Sequence, residues 1–98
     1  MKRARKTENN PIIPLRNEID EIDTALIDLL ALRLGVSQKV GEVKNLRGLA
    51  VHDSSRENQI LSRVDSRGFD PIQTAAIKEI YREIFAQSRL VQRHDGSV

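Results

Sequence analysis

The 98-residue chain contains no cysteine and no tryptophan, and its aromatic side chains are one tyrosine and two phenylalanines. Without cysteine there is neither a disulfide framework nor a thiolate metal site. Imidazoles come only from His52 and His94, too far apart in sequence to suggest a zinc centre, so no metal is expected. With so few aromatics any core must be aliphatic. A domain this small buries a modest fraction of its surface, so covering by a partner would help it. No apolar run approaches the ~20 residues of a membrane-spanning helix. The opening "MKRARKTENN" is basic but lacks the apolar segment of a signal peptide. A cytoplasmic protein with no membrane partner is the expectation.

An excess of one charge is also missing from most of the chain. Lys2, Arg3, Arg5 and Lys6 crowd the first ten residues, whereas from Pro11 onward 12 Lys and Arg face 13 Asp and Glu. The sequence pI near 9.3 therefore comes from a short tail, residues 1–10, that reads as solvated and disordered. The body is not built to hold nucleic acid. Residues 11–93 read as one helical domain, and residues 94–98 as a frayed end.

What is present is helical periodicity. Apolar side chains recur at steps of four and three at Leu15, Ile19, Ile22, Leu26, Leu29, Val36, Val40 and Val43, with Arg33 at the remaining seam position. The spacing predicts a helix from Leu15 to about Leu46, with Pro11 and Pro14 marking the end of the tail. Gly41 lies inside it at a cost in helix propensity. Asp53 or Ser54 can cap a second helix, and Ser54 with Glu57 has the spacing of a capping box. Ile60, Leu61 and Val64 supply its apolar face, and Gly68 stops it. Asp70-Pro71 opens a third helix to about Gln92, with Ile77, Ile80, Ile84, Ser88 and Val91 on one stripe. The fold class is all-α: one long helix, one short, one medium. A first helix of about 32 residues is roughly 48 Å long, more than the other two can cover. An intertwined helical homodimer would bury the rest.

Polar residues interrupt the apolar faces in a pattern. Arg33 stands in the seam. Lys44 follows eleven residues later, three turns and about 20° on, roughly 16 Å along the axis. Ser88 interrupts the third helix's stripe, and Gln92 follows by four on the same side. Burying unpaired cations costs several kcal/mol each, so something anionic should meet them. Glu42, Glu57 or Glu83 could do so, and so could a bound dianion. The chain offers no Ser–His–Asp set, no close carboxylate pair and no glycine-rich phosphate loop. An enzyme made from these residues must run a reaction that needs no nucleophile, metal or cofactor.

The segments "LRNEIDEIDTALIDLLALRLGVSQKVGEVK", "HDSSRENQIL" and "SRLVQ" together resemble the all-α chorismate mutase family, over about Ile13 to Gln92. The resemblance implies a Claisen rearrangement of chorismate, a dianion, to prephenate, on the branch of the shikimate pathway toward phenylalanine and tyrosine. It further implies that Arg16 and Arg33 hold the two substrate carboxylates. Lys44 would donate to the ether oxygen and a carboxylate, and Gln92 would be the second donor to that oxygen. Glu57 would accept from the substrate hydroxyl, Asp53 and Arg56 would shape that end of the pocket, and Ser88 would add a carboxylate contact. Arg16 precedes Arg33 by seventeen residues, about 25 Å on a straight helix and turned by roughly 100°. One small substrate cannot touch both on one helix, so Arg16 is expected from the partner chain, giving two shared sites per dimer.

Plainer readings stand beside these. Glu57 can serve only to cap the second helix, and Asp53 reads as a cap in any case. His52 has no assigned role, and Arg47, Arg63, Arg67, Arg82, Arg89 and Arg93 are expected in solvent. A mutase for 4-amino-4-deoxychorismate would differ by one substituent of its substrate, which the loop near His52 could decide. An isochorismate-pyruvate lyase should lack the acid at Glu57. A non-catalytic helical interaction module should keep its seam apolar at position 33.

Overall fold

Local capping explains where each helix begins and ends. In the computed structural model, which describes residues 9–93, α1 spans Ile12–Arg47, α2 Ser54–Asp65 and α3 Pro71–Arg93. No strand occurs among the described residues. Most of the expected basic tail, residues 1–8, and all of the expected frayed end, residues 94–98, lie outside them.

Helix α1 begins three residues before the expected Leu15. Asn10 starts it: its Oδ1 accepts from the Ile12 N–H at 3.0 Å and its carbonyl from the Ile13 N–H at 3.1 Å. Pro14 falls in the first turn, where a backbone N–H has no intrahelical partner, so the missing donor costs little. At the other end Gly48 takes φ 67°, a left-handed conformation that glycine adopts without steric penalty. The Leu49 N–H then reaches the Lys44 carbonyl at 2.8 Å and the Gly48 N–H the Asn45 carbonyl at 3.3 Å. This pair of bonds is a Schellman motif, and it turns the chain back toward Lys44.

Asp53 caps α2, accepting from the Arg56 N–H at 3.0 Å. Ser54 is the first helical residue, so the Ser54–Glu57 capping box does not form. The Glu57 N–H that a serine cap would have used donates instead to the Asp53 backbone carbonyl at 3.1 Å. Asp70 caps α3 through the Gln73 N–H at 2.9 Å, with Pro71 in the first helical position.

The chain divides into two units, residues 1–33 and 34–98. The first is dominated by the amino-terminal part of α1, whose Leu15, Ile19, Ile22, Leu26 and Leu29 side chains are exposed, Ile22 at 63%. In the second, α2 packs on α3, burying Ile60, Val64 and Phe85. The Tyr81 ring lies 5.7 Å from Phe85, within the range of favourable tilted aromatic pairs. Lys78 Nζ stands 3.2 Å from both carboxylate oxygens of Asp65. Along the stripe expected on α3, Ile77, Ile84 and Val91 are half-buried and Ser88 is buried, whereas Ile80 is exposed at 60%; Phe85, on the adjacent row, is buried as well. Val36, Val40 and Val43 of this unit remain exposed, and no large side chain among the described residues is fully buried. No helix among the described residues is long and apolar enough to cross a membrane.

Candidate active site

The carboxy-terminal turn of α1 and the last turns of α3 meet at a glycine. A Cβ on Gly41 would lie 2.4 Å from the Gln92 carbonyl oxygen and 2.6 Å from its Cα. Gly41 therefore lets the two backbones approach more closely than any side chain permits. In sequence this residue reads as a propensity cost; the crossing is what it is for. Gly41→Ala is expected to destabilise the protein by about 1–3 kcal/mol through overpacking, despite gaining up to about 1 kcal/mol in helix propensity. A thermal melt followed by circular dichroism should show a lower Tm; a raised Tm would contradict the crossing.

One turn beyond Gly41, Lys44 Nζ donates to Gln92 Oε1 at 2.8 Å and to the Val51 carbonyl at 2.8 Å. The Val51 carbonyl is within reach because the Schellman turn at Gly48 folds residues 49–51 back along α1. Lys44 is half-buried, and among the described residues no carboxylate lies within ion-pair distance of it. Two of its three N–H groups are committed to neutral oxygens, which leaves one to donate. Because Gln92 accepts through Oε1, its NH2 is likewise the end left to donate. The pair thus offers two donors, one of them charged, and a half-buried positive charge met by no carboxylate of the described residues within that reach. Such a charge favours an anionic ligand.

A second cluster lies on α2 and α3. Arg89 Nη1 donates to Glu57 Oε2 at 2.5 Å, with the two side chains 27% and 22% exposed. His52 Nε2 stands 3.8 Å from Glu57 Oε1. Arg89 is thus not the solvated arginine expected from the sequence. Glu57 lies thirty-two residues away in the chain, and only the packing of α2 on α3 brings them together. A signal existed in the motif itself: Arg89 is next to Ser88 and three residues before Gln92, so it shares a face with Gln92.

The remaining candidates are placed as follows. Ser88 is buried, one turn before Gln92. Asp53 is engaged in capping α2, and the Arg56 guanidinium reaches Gln59 Oε1 at 2.8 Å on the surface. Arg33 is half-buried and Arg16 exposed; both belong to the first unit. Of the other arginines, Arg82 pairs with Glu79 on the surface, and Arg67 lies over the Phe69 ring at 5.2 Å. A groove of about 540 Å³ borders the Gly41 crossing, lined by Glu42, Asn45, Leu46, Leu49, Val51 and Arg93 among others. It includes Gln92 but neither Lys44 nor Glu57, so the volume alone does not mark the chemistry. No cluster of three or more potential metal-ligating side chains occurs among the described residues.

Comparison with known proteins gives the chain its relatives. The model of the family described as chorismate mutase type II matches residues 15–93. The T-protein of Enterobacter agglomerans is 34% identical over 86 residues, 84% of this chain and 22% of that protein. The chorismate mutase of Methanocaldococcus jannaschii is 38% identical over 50 residues, 51% of this chain and 50% of that one. Among solved structures, a conserved hypothetical protein from Pyrococcus furiosus superposes with a TM-score of 0.72 at 33% identity, covering 87% of this chain and 99% of that one. The chain spans 19–24% of the length of several longer curated relatives that it matches. A match over nearly the whole helical region, with an all-α fold that superposes at this identity, settles the kinship: the chain belongs to the type II chorismate mutase family.

Proposed function

We propose that the protein converts chorismate to prephenate, in the cytoplasm, as a homodimer whose two sites each draw residues from both chains. The observation that carries the reading is the Lys44–Gln92 pair, a half-buried ammonium bonded to an amide oxygen, with one N–H of the ammonium and the amide NH2 left to donate. The rearrangement breaks a C–O bond and forms a C–C bond within one molecule. It needs no nucleophile, no proton transfer and no external reductant. Its barrier falls when the substrate is held in the compact diaxial conformer and when donors meet the ether oxygen as that atom gains negative charge.

In this reading the third N–H of Lys44 and the NH2 of Gln92 are those donors. Arg33 and Arg16 hold the carboxylates, Arg16 from the partner chain. Ser88 adds a carboxylate contact, Glu57 accepts from the substrate hydroxyl, and Asp53 and Arg56 shape the end of the pocket where α2 begins. Names among the relatives support the substrate: chorismate mutase in M. jannaschii, and bifunctional chorismate mutase/prephenate dehydratase in Aquifex aeolicus. Purified protein mixed with chorismate should consume it, followed by ultraviolet absorbance. Folded protein that leaves the absorbance unchanged would end the reading.

The dimer is supported by the stripe from Leu15 to Val43, every apolar member of which is exposed in the single chain. Full burial of such a side chain stabilises by about 1.5–3 kcal/mol, so half-covered residues at eight positions leave a large gain to be made by a partner helix. Light scattering at micromolar concentration is expected to return twice the chain mass of 11.1 kDa; the single-chain mass would refute the dimer.

A further inference from the structure

We infer that Arg89 is a specificity-determining positioning residue: it neutralises Glu57, so that the site takes a substrate with a hydroxyl where Glu57 faces it and rejects the amino analogue. The inference rests on the mutase reading and deepens it, because Glu57 alone does not distinguish the two substrates. A bare carboxylate accepts a hydrogen bond from a hydroxyl. It binds an ammonium more strongly, because a full charge is added to the hydrogen bond. An acid at position 57 without a counter-charge would therefore favour 4-amino-4-deoxychorismate over chorismate.

The structure gives Glu57 a counter-charge. Arg89 Nη1 holds Oε2 at 2.5 Å, and His52 Nε2 lies 3.8 Å from Oε1. The Glu57–Arg89 pair, a carboxylate and a guanidinium, carries no net charge. Oε1, opposite the oxygen that Arg89 holds and with His52 Nε2 at 3.8 Å beyond hydrogen-bond distance, can still accept from a neutral hydroxyl. An ammonium there gains much less Coulomb attraction than it would from a bare carboxylate, because the guanidinium on the far side of Glu57 opposes it. Both partners are about three-quarters covered, so the opposing charges are screened less than on an open surface. Arg89 also stands one turn from Gln92 on α3, so the residue that sets this charge is carried on the same rigid element as the donor amide.

The test compares kcat/KM for chorismate and 4-amino-4-deoxychorismate in the full-length protein. The wild type should prefer chorismate by at least about tenfold. Arg89→Met removes the charge and should shift the preference toward the amino substrate by about tenfold or more, the size expected from one uncompensated charge at this range. Arg89→Gln, which keeps a donor for Glu57 without a charge, should shift it the same way and serves if the methionine variant does not fold. Arg89→Lys should keep the wild-type preference to within about threefold. A loss of activity equal for both substrates in Arg89→Met and Arg89→Gln would make Arg89 structural and overturn the inference, with the mutase reading intact. So would a wild type that shows no preference. Failure of the wild type on both substrates would instead overturn the mutase reading, and this inference with it.

Discussion

Lys44→Ala is expected to lower kcat by about 100-fold or more, the usual consequence of removing one preorganised donor from a developing oxyanion. The ammonium is held by the Gln92 amide and the Val51 carbonyl, each at 2.8 Å, so it is in position before substrate arrives. No part of the barrier reduction is lost to reorganising it. Gln92→Ala should have a comparable effect on kcat. Because Gln92 Oε1 is fixed by Lys44, the two donors act as a unit, and the double variant should be only modestly worse than either single one. Arg33→Ala should in addition raise KM, since a carboxylate partner is lost. Steady-state kinetics by absorbance decides these points, with circular dichroism to confirm helical content. Unchanged turnover in folded Lys44→Ala protein would refute the assignment of the ether donor.

Two nearly inactive variants, Arg16→Ala and Arg33→Ala, should together recover about a quarter of wild-type activity when refolded as an equal mixture. The two arginines sit on one continuous helix, α1, about 25 Å apart along its axis, so a small dianion cannot reach both in one chain. If each site takes Arg16 from one chain and Arg33 from the other, a mixed dimer has one complete site and one lacking both arginines. Random pairing makes about half the dimers mixed, each with one of its two sites working. Activity no greater than the average of the separate variants, with mixed dimers confirmed by mass, would show that the sites are not shared. Leu26→Asp tests the same interface from the stability side. Leu26 is exposed in the single chain, and an aspartate there should leave a lone chain unharmed. In a dimer it buries an unpaired charge and should melt the fold.

The helices were legible because the forces that start and stop them act within a few residues. Asp70 before Pro71, and Asp53 before an apolar-periodic run, announce caps through side chains that bond N–H groups three positions on. Pro14 misled the reading of α1 by the same logic: a proline looks like a boundary, yet the first turn tolerates it. The row of apolar residues from Leu15 to Val43 is equally plain, since a 3.5-residue repeat is a property of the chain alone. Lys44 and Gln92 stood out because each interrupts or flanks an apolar face. Arg89 did not, because it interrupts nothing.

By itself, then, the sequence determined the all-α class, the order of one long, one short and one medium helix, and the residues that depart from apolar periodicity. Tertiary structure decided the pairings. Gly41 means nothing until α3 crosses it at Gln92, forty-eight residues after Lys44. Glu57 reads as a cap or an acceptor until Arg89, thirty-two residues on, is brought against it. Phe85, off the row that the spacing marks, is buried while Ile80 on that row is exposed, which only the packing of α2 on α3 shows. The physical reason is one of range. Capping and periodicity are local backbone energetics written in neighbouring residues, whereas the charge and donor pattern of a site depends on which helix faces meet, and that is set by close packing across the whole chain.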